Sequence, residues 1–141
     1  MNNELLIFLP PEASDSIFWV IRDSESRQPV EQGSLPGVEQ LSELQQHSSH
    51  LPCFIVVPAT TATQLQVRLP VNSREAREAI PFQLEDQLCD DIERLHFAVG
   101  PEIAENCYPV VVVAKQQMRR WFDWLEAAAI QPHALVVESL D

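Results

Sequence analysis

Five carboxylates crowd one stretch of the chain: Glu85, Asp86, Asp90, Asp91 and Glu93. Asp86 and Asp90 are four apart. On a helix they share one side, and Glu93 follows on that side if the helix persists. Paired carboxylates can serve as general acid and base, or hold a divalent ion. Either task needs a companion group, and no histidine or nucleophile is spaced to join them. Two other readings stand beside the chemical one. Surface acids ordinarily form a solvated face. They can also form a docking surface, because complementary charge steers association and selects partners.

The other reactive residue types are scattered. His47 and His50 are three apart, as a ligand pair can be, but lie in a Ser-rich helix end with no third ligand near. His96 alternates with apolar neighbours and reads as structural. His133 follows Pro132 in a turn. Cys53, Cys89 and Cys107 form no Cys-x-x-Cys pair, which speaks against a disulfide framework or thiolate zinc site. No Gly-x-Ser-x-Gly, Walker loop or Cys/His pairing is present. The sequence therefore points to no catalytic residue, no metal and no cofactor. Among the aromatics, Trp121 and Phe122 fit the apolar side of a helix and read as core. Trp124 falls at the margin of that side. Next to Arg119 and Arg120, an exposed Trp there would make a binding anchor.

The totals narrow the function classes. A net charge of −12 over 141 residues argues against nucleic acid and anionic membrane surfaces. It favours a basic protein partner, or plain solubility. A hydrophobic content of 45% is enough to bury a core. Met1-Asn2-Asn3-Glu4 has no basic region, and Leu5–Leu9 is too short for a signal-peptide core. No apolar run is long enough to span a bilayer. The chain stops at Asp141, right after a strand-like segment, and reads there as a cut rather than a natural end.

The elements that must position these residues follow from periodicity. Leu5–Leu9 and Cys53–Val57 are continuous apolar runs, as buried central strands are. Ile17–Asp23 reads as a strand, and Pro29–Gly33 as a weaker edge strand. Short connections make the first three an antiparallel meander. Val38–Gln46 reads as a helix with Val38, Leu41 and Leu44 in one stripe. A helix between the meander and Cys53–Val57 places that strand parallel to one of the meander's. Gln64–Leu69 alternates as a half-exposed strand. A helix starts at Asn72 or Ser73 and breaks at Pro81, or restarts there with Pro81 in its first turn. Arg94–Ala98 and Cys107–Ala114 are strands. Gln116–Ala129 is an amphipathic helix with Met118, Trp121, Phe122, Leu125 and Ala129 on one side. Ala134–Val137 is a last strand.

The stretches Leu69-Pro70, Arg77–Leu88 and Asp90–Gly100 resemble the cytoplasmic domain of the L protein of the type II secretion system. That family carries a Leu/Ile-Pro-Phe/Tyr step, met here by Ile80-Pro81-Phe82. A Glu-Glu-Gln-Leu-like run follows, met by Glu85-Asp86-Gln87-Leu88. An acidic pair then precedes a Leu-His-Phe-Ala-like strand, met by Asp90-Asp91 and Leu95–Ala98. The resemblance spans nearly the whole chain.

It implies an α/β fold: a ribonuclease-H-like lobe of the actin-type ATPase superfamily, sheet order 3-2-1-4-5, with an inserted βαββα subdomain. The expected lobe is residues 1–60 plus 131–141, and the expected insert is residues 61–130. It also raises nucleotide binding, which needs a phosphate-binding turn between the first two strands. Here that turn is Pro10–Ser16, with two prolines, an acid and no glycine, and it reads as a plain connector. The resemblance then implies a non-enzymatic scaffold of the inner-membrane platform. Its partner would be the N-terminal domain of the secretion ATPase, the E protein. Other platform proteins would bind parts absent here, and a second copy of the chain is also a candidate partner. Glu85, Asp86, Asp90, Asp91, Glu93 and Trp124 are the expected partner-binding residues. The alternative is an actin-like nucleotide-binding half-domain with a divergent site.

Overall fold

A computed structural model describes residues 2–138. The chain divides into two compact units, Met1–Ala59 with Arg119–Asp141, and Thr60–Met118. The expected insert ran to residue 130, but Arg119 onward packs with the first unit. The reason is Trp121, fully buried there, whose indole Nε1 donates to Pro10 O at 3.0 Å. Residues 139–141 of the expected lobe, with the expected cut at Asp141, lie outside the described residues.

In the first unit, β1 (Asn3–Phe8), β2 (Ile17–Asp23) and β3 (Pro29–Leu35) form the antiparallel meander. β4 (Cys53–Val57) pairs parallel to β1, and β8 (Ala134–Val137) pairs parallel to β4. The sheet order is β3-β2-β1-β4-β8. This is the ribonuclease-H-like arrangement. Strand registry sorts the side chains onto two faces. Leu5, Ile7, Ile17, Ile55 and Val57 lie on one face and are fully buried. Trp19 shares it, and the ring of His47 stacks on Trp19 at 5.5 Å.

The segment after β3 departs from the sequence expectation. Val38–Leu44 is a 3-10 helix rather than an α-helix, and α1 (Gln45–Ser48) adds one α-turn. Val38, Leu41 and Leu44 recur every third residue, and that spacing stacks on one side only at three residues per turn. Leu41 and Leu44 are buried as a result.

The second unit holds β5 (Ala62–Arg68), α2 (Arg74–Glu78), α3 (Ile80–Leu84), β6 (Leu95–Val99) and β7 (Cys107–Ala114). Its antiparallel sheet has the order β5-β7-β6. The alternating strands put Val67, Tyr108, Val110 and Val112 on one face, closed by Ile80 and Leu84 of α3. α4 (Lys115–Ala127) leads back into the first unit. Among the described residues, no helix is long and apolar enough to cross a membrane.

Candidate functional site

The acidic stretch is set up by the helix pair before it. Ser73 is the N-cap of α2, its Oγ accepting from the Ala76 N–H at 3.1 Å. Asn72 instead accepts from Arg77 Nε at 2.8 Å. Ala79 ends α2 and also starts α3. Pro81 follows in the first turn of α3, where its missing N–H leaves no bond unmade. Ile80 and Leu84 are buried, so α3 is anchored by one side.

Glu85 and Asp86 continue from α3 in a 3-10 turn, Glu85–Gln87. Helical backbone ends there, since Leu88 is extended. Asp86 and Asp90 therefore share no helix, contrary to their spacing. Leu88 turns back to pack on the core. The Asp90 carboxylate accepts from the Asp91 N–H at 2.9 Å, a local bond that competes with helix. Glu93 lies on a separate 3-10 turn, Ile92–Arg94. All five carboxylates are exposed. Among the described residues, none of the five is salt-bridged to a cation.

The other candidates disperse. No three of the described His, Cys, Asp and Glu residues gather as a metal site. His47 approaches Glu31 at 3.7 Å, while His50 lies near Ser49 Oγ at 3.5 Å. His96, read as structural, is exposed on the sheet face away from the core. Trp121 and Leu125 are buried, but Phe122 is 45% exposed rather than core. One residue is a 100° rotation on a helix, enough to carry Phe122 off the stripe. Trp124 is half-buried in the first unit, whereas the acids belong to the second.

Sequence reasoning missed what holds the β1–β2 turn. Trp121 and Arg120 of α4 both donate to it, Arg120 Nη1 reaching Pro11 O at 3.0 Å. Arg120 also lies 3.8 Å from Glu12 Oε1. No sequence signal links residues more than a hundred positions apart. The turn thus offers α4 its carbonyls, and two of its residues carry no N–H.

The family model described as type II secretion system (T2SS), protein L, matches residues 5–140. Type II secretion system protein L of Pectobacterium carotovorum subsp. carotovorum is 34% identical over 137 residues, covering 96% of this chain and 32% of that protein. The protein of the same name in Dickeya chrysanthemi is 32% identical over 136 residues, covering 96% and 34%. That of Pseudomonas aeruginosa is 28% identical over 145 residues, covering 99% and 35%. The chain spans about a third of the length of these curated relatives.

Solved structures show the same fold. The cytoplasmic domain of EpsL, an inner membrane component of the type II secretion system of Vibrio cholerae, superposes with a TM-score of 0.79 at 23% identity. The match covers 96% of this chain and 57% of that one. The PilM–PilN type IV pilus biogenesis complex gives a TM-score of 0.66 at 16% identity, covering 95% and 47%. The family match over almost every residue, with the sheet order and the Ile80-Pro81-Phe82 helix step, leads to one conclusion: the chain belongs to the type II secretion system protein L family.

Proposed function

We propose that this chain is a non-enzymatic cytoplasmic scaffold of the type II secretion inner-membrane platform. It recruits the secretion ATPase by binding that enzyme's N-terminal domain. Family membership supports the setting, and EpsL is itself described as an inner membrane component. The observation that carries the docking mode is the acidic surface of the second unit. Glu85, Asp86, Asp90, Asp91 and Glu93 are all exposed and without a cation partner among the described residues. On a chain of net charge −12, that surface attracts a basic partner and steers its approach. Trp124, half-buried on α4, is held as a second contact.

The test is binding of this chain to the ATPase N-terminal domain, with Glu85, Asp86, Asp90 and Asp91 each changed to Lys. Exposed pairs contribute roughly 0.2–1 kcal/mol apiece. Four reversals, at about 0.8–4 kcal/mol together, should weaken binding by about fourfold or more and flatten its salt dependence. Unchanged affinity with unchanged salt dependence refutes acidic docking.

The actin-type fold favours a second reading, an ATPase half with a divergent nucleotide site. Calorimetry with ATP and Mg²⁺ separates the two, since tight saturable binding would support the nucleotide site and count against a pure scaffold.

A further inference from the structure

The sheet of the second unit ends in an unguarded edge strand. β6 pairs only with β7, and the register sets Val99 opposite Val110. Gly100, one position on, donates its N–H to Pro109 O at 2.9 Å. Bonded pairs alternate along an antiparallel ladder, so Ala98 and His96 also bond to β7. Leu95, Phe97 and Val99 then turn their backbone groups to the open edge. The Leu95 N–H is taken up by Ile92 O. Among the described residues, the N–H groups of Phe97 and Val99 meet no acceptor. Edge strands are ordinarily guarded by charge, proline or a bulge. β6 carries no acid, Lys, Arg or Pro.

A groove of about 620 Å³ lies between this edge and α2. Phe97 and Val99 form its apolar side, half-buried and packed on the core of the unit. Arg74 and Arg77 form the other side, with Glu78 as the one carboxylate. Arg77 Nε donates to Asn72 Oδ1 at 2.8 Å, a contact that does not neutralise it. Arg74 meets Glu78 at 3.1 Å, but that pair is exposed and therefore weak. None of the five docking carboxylates lines the groove.

We propose that this groove binds an extended acidic segment of a partner protein, which joins the sheet as a fourth strand beside β6. The open backbone groups of Phe97 and Val99 recur every second residue, about 7 Å apart. An extended guest matches that spacing, whereas a helix keeps its own N–H groups bonded internally. Strand addition at a sheet edge is a recurrent mode of peptide recognition. Alternate guest side chains face the groove. Two carboxylates four residues apart therefore reach toward the arginines, and an apolar residue between them rests on Phe97 and Val99. A second copy fits less well, because its own β6 brings no acid to Arg74 and Arg77.

The probe is an acetylated, amidated heptapeptide, Thr-Glu-Thr-Val-Thr-Glu-Thr, beside its counterpart with Lys in place of Glu. Binding and amide hydrogen exchange are read by NMR on this chain. The net charge of −12 by itself favours the Lys peptide, so the two forces predict opposite preferences. The Glu peptide should bind at least about threefold tighter. At about four times its Kd it should slow exchange at Phe97 and Val99 about fivefold. Arg74→Glu with Arg77→Glu should abolish the preference. If circular dichroism shows that double variant unfolded, Arg74→Glu alone, which spares the Asn72 contact, should reduce it. Equal or tighter binding of the Lys peptide overturns the proposal. So does a failure to saturate, or saturation without protection at Phe97 and Val99. Protection in the peptide-free chain that rises with its own concentration also overturns it, by showing that a second copy takes the edge.

Discussion

Replacing Trp121 tests how the first unit is held to its own β1–β2 turn. The side chain is fully buried and Nε1 donates to Pro10 O at 3.0 Å. Two substitutions separate these contributions. Trp121→Phe keeps most of the ring but leaves the Pro10 carbonyl without its donor. Pro10 is half-buried, so water can partly replace the lost donor and the unmade bond costs about 1 kcal/mol, the low end for an unsatisfied acceptor. Trp121→Ala also removes the ring and opens a cavity, for a total of about 3–5 kcal/mol. That is a large share of the 5–15 kcal/mol typical of a domain. The assay is urea unfolding followed by far-UV circular dichroism and, because the chain has two units, by a second probe as well. The loss should fall in the transition of the first unit. A Trp121→Ala loss below about 1 kcal/mol would refute the burial argument. A Trp121→Phe variant within about 0.5 kcal/mol of the parent would show that the hydrogen bond contributes nothing net.

Three further perturbations follow from local geometry. Ala129 has φ 57° just past α4, with Ile130 N–H bonded to Leu125 O at 2.9 Å and Ala129 N–H to Glu126 O at 3.0 Å, a helix ending that favours glycine. Ala129→Gly should therefore raise the unfolding free energy by up to about 1 kcal/mol, read as a higher urea midpoint. At Gly33 a Cβ would lie 2.9 Å from Trp19 Cζ2, so Gly33→Ala should cost about 1–3 kcal/mol by overpacking and disturb near-ultraviolet dichroism from Trp19. Burial pushes the Cys53 thiol up to about 11 from 9.0. The unfolded chain then loses that proton first, so this group lowers stability as pH rises from about 9 to about 11. Iodoacetamide at pH 8 should modify the exposed Cys89 while sparing Cys53 until the chain unfolds.

Strands were the most legible part of the sequence. The continuous runs at Leu5 and Cys53, and the alternation at Gln64, each appear as strands with the expected exposure. Short connections pointed to the meander and one crossover to a parallel strand, while the full order β3-β2-β1-β4-β8 was expected from the family resemblance alone. Pro81 marked the helix restart because its missing N–H acts locally. Features decided by distant packing were not legible. Leu88 ends the helical run by turning to the core, which separates Asp86 from Asp90. Phe122 lies off the buried stripe because the stripe is set by what Trp121 and Leu125 meet. The pinning of Pro10 and Pro11 by α4 spans most of the chain.

That pinning bears on how this sheet could serve the proposed scaffold. A phosphate-binding turn must leave its backbone amides free and its surroundings short of negative charge. In this turn Pro10 and Pro11 supply carbonyls rather than amides, and α4 holds both carbonyls. Glu12 adds a carboxylate, placed 3.8 Å from Arg120. Remaking the turn with glycines would free amides, but it would also remove the rigid residues that present those carbonyls to Trp121 and Arg120. Nucleotide binding and the present packing of α4 therefore compete for one short segment. A scaffold gains from the second use, since a turn fixed to a helix holds its shape without a ligand. The proposed role is in that respect compatible with the fold, because the segment an ATPase would use for chemistry here stabilises the unit itself.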